Sequence, residues 1–154
     1  MNERRFDAII VGGGQAGQPL AGRLTGAGMR VALVERHLLG GTCVNTGCMP
    51  TKTMVASAYA AHLARRADLG VEAAGMTVNY ATVRARAEAV SAGSRNSIGK
   101  WLEAMDGLTL IHGHARFEGP DRVSTGEAVL SAPRIFINVG GRAFAPPLPG
   151  VDSV

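Results

Sequence analysis

Nowhere in this sequence does an apolar run approach the roughly 18 residues a membrane-crossing helix needs. The N-terminus, MNERRFDAII, sets charges beside a short apolar stretch and lacks the h-region and cleavage site of a secretory leader, so a cytoplasmic protein is expected. Cysteine is scarce, with only Cys43 and Cys48 present, which leaves no framework of structural bridges. The four histidines, His37, His62, His112 and His114, fall in unrelated segments, and a zinc site needs four ligands. No internal repeat is found. Long runs of one charge are absent too: net charge is +4, but the arginines stand singly or in pairs, such as Arg65 with Arg66 and Arg84 with Arg86. That pattern describes solvated helix faces rather than a nucleic-acid footprint. Neither nucleic acid nor membrane is an expected partner.

What the sequence does have is glycine, at 21 of 154 positions, with 46% apolar and 18% charged residues. These proportions describe one globular domain with many close backbone approaches. FDAIIV, residues 6–11, is a short apolar run closed by glycines, and RVALVE, residues 30–35, repeats it; both read as buried parallel strands. Between them, residues 15–27 carry apolar positions at helical spacing and stop at Gly28, giving a βαβ unit with a right-handed crossover. An alanine-rich helix is expected over residues 51–67 and a second over 79–105, with Gly93 and Gly99 as places for a kink. LTLIHG, HARFEG, DRVSTG and AVLSA then read as an antiparallel meander, RIFIN (134–138) as a last strand, and PPLPG (146–150) as a linker. The expected fold is α/β: a mostly parallel Rossmann-like sheet, a helical excursion and a small meander. The domain reading is 1–145 for the core, with 146–154 opening a linker to a further domain.

Gly12, Gly14 and Gly17 form GxGxxG between the first strand and the first helix. The first glycine permits a tight turn, the second lets backbone approach a pyrophosphate, and the third lets helix and strand pack closely. The helix N-terminus adds N–H donors and the positive end of its dipole. Glu35 ends the next strand about twenty residues on, where a carboxylate accepts from adenosine ribose hydroxyls and repels a 2′-phosphate. The alternative is a glycine turn without a ligand. The motif names an adenine dinucleotide and does not choose between FAD and NAD.

Cys43 and Cys48 lie in GGTCVNTGCMP, residues 40–50. Five residues of ideal helix separate Cα atoms by about 8.7 Å, whereas a disulfide needs less than about 7 Å. A bridged pair therefore requires a break in the helix, which Asn45, Thr46 and Gly47 tolerate. Pro50 suits a first helical turn, and Lys52 lies four residues after Cys48 on the same face, so dipole and ammonium both favour a thiolate at Cys48. Two unreacted core cysteines, a structural staple and half of a zinc site are the competing readings; an electron-exchanging dithiol accounts best for the spacing.

Together, GGTCVNTGCMPTK, VGGGQAG and VALVE at this spacing resemble the flavoenzyme class of dihydrolipoamide dehydrogenase, glutathione reductase and mercuric reductase, over nearly the whole chain. PTKTMVASA and IFINVGGRA look closest to the mercuric reductase-like branch. The resemblance implies that Gly12, Gly14, Gln15, Ala16 and Gly17 hold the FAD pyrophosphate, Glu35 the ribose and Thr42 a phosphate oxygen. It implies Cys48 as the thiol against the flavin, forming the charge-transfer thiolate, and Cys43 as the outer interchange thiol. Lys52 would lie near the flavin N5 and Ala115 would approach the adenine through its backbone. Where the class reads Ala-Thr-Gly, this sequence keeps Gly140 and replaces the threonine by Val139.

The class's second glycine fingerprint, its later Gly-Asp motif and its dimerisation domain are not found in these 154 residues, so a fragment is expected, inactive by itself. In the complete enzyme the resemblance implies NAD(P)H as donor, FAD as carrier and a Cys43–Cys48 disulfide as acceptor. The substrate would be a small-molecule disulfide, a dithiol or a thiol-bound metal ion, and the assembly a homodimer. The rival readings are a stand-alone dinucleotide-binding redox sensor and a dithiol metal-trafficking protein.

Overall fold

The computed structural model describes residues 2–70, 74–142 and 144–153. Met1, residues 71–73, Ala143 and Val154, which the expected domain limits include, lie outside these described residues.

The βαβ unit is present: β2 (Ala8–Val11), α1 (Gly17–Gly26) and β3 (Val31–Glu35), with β2 and β3 parallel from Ala8↔Val31 to Val11↔Val34. Both strands are buried on both faces, as their unbroken apolar runs require. Two further strands, β4 (Leu108–His112) beside β3 and β8 (Ile135–Ile137) beside β2, complete a parallel sheet of order β4-β3-β2-β8.

This placement corrects the meander. LTLIH is not its first strand but the parallel edge of the main sheet, paired from Val31↔Leu108 to Glu35↔His112. All but the last of its residues are half-buried rather than alternating sharply in and out. A short apolar segment does not announce which neighbour it will pair with, and the 24-residue helix before it supplies the crossover a parallel strand needs. The meander is instead β5 (Arg116–Gly119), β6 (Arg122–Ser124) and β7 (Ala128–Ser131), antiparallel throughout. It gains a strand that charge concealed: β1 (Asn2–Arg5) pairs in parallel with β7, from Asn2↔Ala128 to Arg5↔Ser131.

Period-two alternation along the parallel strands separates two cores. Ile9, Val11, Ala32 and Val34 face the meander and pack with Phe6, Leu130 and Ala132. Ala8, Ile10, Val31 and Leu33 face the helices and pack with Ala21, Leu39 and Leu102. The result is three layers: helices, parallel sheet, meander.

The helical excursion comprises α2 (Gly41–Asn45), α3 (Cys48–Ala64) and α4 (Tyr80–Glu103). Asn79 caps α4, its side chain accepting from the Thr82 N–H at 3.1 Å. Helix α4 runs unbroken through Gly93 and Gly99, so neither glycine ends it. Its C-terminal turns pack Ile98 and Leu102 on the sheet, joined by Met105 just past its end, while Ala87 and Ser91 are buried further towards its N-terminus. Arg86, read as part of a solvated face, is a tie between helices. Its Nη1 donates to Thr53 O at 3.0 Å and to Ser57 Oγ at 3.2 Å.

Candidate functional site

The C-terminal ends of β2, β3 and β8 meet the start of α1 and the β3–α2 loop around a cleft of about 780 Å³. Gly12, Gly14, Gln15, Glu35, Thr42, Cys43, Ala115 and Gly140 line it, all of them singled out from sequence. Ala16 and Gly17 lie at the beginning of α1, behind the loop. Cys48 and Lys52 are exposed on the first turns of α3, outside the lining.

The three glycines have different reasons in this geometry. Gly12 has φ +108°, and a Cβ there would sit 2.2 Å from the Asn138 carbonyl oxygen. A Cβ on Gly17 would lie 2.2 Å from the Gly12 carbonyl oxygen and 3.3 Å from Ile10 Cγ2, so helix and strand touch at this point. Gly14 differs: its nearest neighbours would be Asn138 Nδ2 at 3.5 Å and Gly41 Cα at 3.9 Å, ordinary contacts. The protein itself leaves room there, on the side that forms the cleft. Helix α1 carries no side-chain N-cap and no acid in its first turn. A bare helix start above a side-chain-free cradle fits a phosphate group.

Glu35 is half-buried, with both carboxylate oxygens engaged by backbone: Oε2 accepts from the Gly13 N–H at 2.8 Å and Oε1 from the His37 N–H at 2.8 Å. The Gly113 N–H donates to the Glu35 carbonyl at 2.9 Å, which brings Ala115 to the same rim. The Gly40 N–H donates to Gly13 O at 2.9 Å, and Gln15 Nε2 donates to Gly40 O at 3.2 Å. The loop that carries the cysteines is thereby braced against the dinucleotide loop.

The cysteines stand on either side of a helix break. Cys43 is in α2, Cys48 opens α3, and Thr46 and Gly47 between them leave helical geometry (φ −137°, ψ 3°; φ −121°, ψ −110°). Here both are thiols, hydrogen-bonded to one another. That bond pushes the Cys43 pKa up, burial and the charge of Cys48 add to the rise, and the Cys48 N–H and the Lys52 ammonium oppose it. Lys52 therefore acts electrostatically on Cys43 as well as standing one turn from Cys48.

Two asparagines have roles that their places in the sequence did not announce. Asn45 is a hub: Nδ2 donates to Leu39 O at 3.0 Å and Gly41 O at 2.9 Å, and Oδ1 accepts from Arg95 Nη1 at 3.0 Å. Asn138 Nδ2 donates to Gly12 O at 3.1 Å. The available signal for Asn138 was a polar residue closing an apolar strand just before two glycines.

A second hollow of about 340 Å³ lies between α3 and α4, bordered by Met54, Tyr80, Arg84, Ser91 and Arg95. Asn45 borders both hollows, whereas neither cysteine lines the second.

Residues 6–154 match the family model of pyridine nucleotide-disulphide oxidoreductases. A mercuric reductase of Shigella flexneri is 34% identical over 150 residues, covering 92% of this chain and 27% of the relative. A dihydrolipoyl dehydrogenase of Bacillus subtilis (strain 168) is 35% identical over 150 residues, covering 97% and 27%. Identity thus does not separate the two branches. Among solved structures, the Cu(II) complex of the HOCl-induced flavoprotein disulfide reductase RclA from Escherichia coli superposes with TM-score 0.79 at 33% identity, covering 97% of this chain and 32% of that one. The chain spans about a third or less of the length of these relatives. With a parallel sheet, a glycine-rich loop and two neighbouring cysteines in one arrangement, and this match over nearly all its length, the chain belongs to the pyridine nucleotide-disulphide oxidoreductase family.

Proposed function

We propose that this chain is the FAD-binding part of an NAD(P)H-dependent reductase whose electrons leave through Cys43 and Cys48. The observation that carries the reading is the shared cleft: the glycine loop, Glu35 and Cys43 line one cavity, so a dinucleotide held by the first two reaches towards the third.

Gly12, Gly14, Gln15, Ala16 and Gly17 would hold the pyrophosphate with backbone N–H groups, Thr42 a phosphate oxygen, Glu35 the ribose, and Ala115 and Gly140 the flanks. FAD supplies the hydride and two-electron chemistry when bound. The residues supply placement and proton control. Cys48 takes the flavin side because it starts α3 beside Lys52, and Cys43 is left as the thiol that exchanges with substrate, as the family resemblance implies. In the oxidised form the two sulfurs are bridged; two electrons and two protons convert the bridge to the dithiol. The dithiol then passes two electrons to a small disulfide, which leaves as two thiols, or to a thiol-bound soft metal ion, and the bridge re-forms. Relatives named for mercuric ion and for lipoyl groups, and a neighbour solved with Cu(II), support that pair of substrate classes. A homodimeric, cytoplasmic enzyme is the accompanying proposal.

The test is FAD titration followed by flavin fluorescence. Glu35→Ala should weaken binding by roughly 1–3 kcal/mol, the cost of removing a charged hydrogen-bond partner. Equal affinities would take Glu35 out of the binding machinery and remove the main support for an adenosine site.

A further inference from the structure

We infer that Asn138 is a positioning residue that, together with Glu35, fixes one peptide plane of the dinucleotide loop; the inference rests on the reading that the cleft holds FAD.

The plane is the Gly12–Gly13 peptide. Its carbonyl accepts from Asn138 Nδ2 at 3.1 Å, and its N–H donates to Glu35 Oε2 at 2.8 Å. The two clamping groups come from separate strand ends: Asn138 follows β8, and Glu35 closes β3. Asn138 is itself anchored, since its N–H donates to Val11 O at 2.8 Å. The gap is narrow. A Cβ on Gly17 would lie 2.2 Å from Gly12 O and 2.9 Å from Asn138 Nδ2, so the carbonyl sits wedged beneath the first turn of α1.

A glycine pair is the least restrained peptide in any chain, because neither residue has a Cβ to disfavour rotation. With Gly12 at φ +108°, the direction of the next N–H groups depends on what holds this plane. Those N–H groups lead into the start of α1, where the pyrophosphate would bind. Pinning both ends of the plane pre-organises the cradle, so ordering costs are met before ligand arrives. Asn138 also lines the cleft, beside Val139. An amide is suited to the position because it donates without charge. A carboxylate there would oppose the Gly12 carbonyl oxygen when ionised and could donate to it only when protonated.

The experiment compares FAD affinity of the wild-type chain with Asn138→Ala, Asn138→Asp and Glu35→Ala, with circular dichroism recorded on every sample. Asn138→Ala should bind FAD about tenfold more weakly, about 1.4 kcal/mol. Asn138→Asp should bind closer to wild type at about pH 4 than at about pH 7, losing affinity as the carboxyl titrates, relative to a wild-type control measured at each pH. Because that comparison uses one folded variant at two pH values, it decides the matter even if Asn138→Ala does not fold. If wild type binds no FAD, or Glu35→Ala has no effect, the reading of the cleft falls and takes this inference with it. If Glu35→Ala weakens binding while Asn138→Asp at pH 7 matches wild type, Asn138 is no positioning residue and the cleft reading stands.

Discussion

Among single residues, the glycines of one motif separate by what a methyl group would strike. Gly12→Ala places an L residue at φ +108° with its Cβ 2.2 Å from backbone, so the loop must move. Gly14→Ala meets nothing closer than 3.5 Å. We therefore expect Gly14→Ala to keep the wild-type melting temperature within about 2 °C, yet to lose most FAD affinity, while Gly12→Ala loses both. A Gly14→Ala chain that melts like wild type and binds FAD equally would mean the cradle is not used. The thiols make a separate prediction. Since the hydrogen bond to Cys48 is the largest cause of the raised Cys43 pKa, Cys43 keeps its proton to higher pH than an ordinary cysteine. Iodoacetamide alkylation of the reduced chain, read by peptide mass spectrometry across pH, should show a late Cys43 midpoint that moves down in Cys48→Ala. The sign also sets a stability trend: the protonated Cys43 favours the fold below the ordinary thiol pKa, and that contribution is lost as pH rises through the higher folded value.

The two long helices differ in what holds them. In α4, Gly93 lies in the interior of the helix and is exposed, with nothing within 4 Å of the place a methyl group would occupy. Gly93→Ala should stabilise the chain by about 0.5–1 kcal/mol, because alanine loses less backbone entropy on entering a helix. Thermal unfolding checks this; a drop in melting temperature would show that Gly93 does something beyond occupying a helical position. Ser91, two residues earlier, is 3% exposed, and its Oγ finds no partner among the described residues. Helix α3 is the less self-sufficient element: only Thr53 is buried, and Val55 and Tyr59 are 58% and 60% exposed. It is held by α4, through Arg86, more than by a core of its own.

Taken as one body, the chain has a sheet with an unequal pair of edges. On the β8 side no strand follows among the described residues, and Ile137, Val139, Phe144 and Leu148 are all more than 60% exposed nearby. An open apolar edge of this kind favours self-association. The sequence also contains a single strand-linked GxGxxG. We expect the purified 154-residue chain, with FAD added and a disulfide or mercuric acceptor present, to show no saturable oxidation of NADH or NADPH. Turnover abolished by Cys43→Ser would overturn that expectation and make this length of chain sufficient for catalysis.

Much of this was legible in order along the chain. Local rules determined β2, α1 and β3, because a run of apolar residues closed by glycines has few alternatives. They also indicated where a break would fall if Cys43 and Cys48 were bridged, since an ideal helix holds Cα atoms five residues apart beyond disulfide reach. Thr46 and Gly47 do leave helical geometry. Partners were another matter. LTLIH joined the parallel sheet rather than the meander, the charged Asn2–Arg5 became a strand beside β7, and Arg86, though exposed, ties α4 to Thr53. Each of those choices depends on which surface a segment meets across the fold, a quantity absent from its own composition. Asn138 is the sharpest case. It lies 126 residues from Gly12, and only the pairing of β8 with β2 brings its amide to that carbonyl. The glycine loop and the cysteine pair could be read directly from the order of residues, because each is made of neighbours in the chain. What holds them came only with the folded arrangement, because those contacts are made by strand ends and helices distant in sequence.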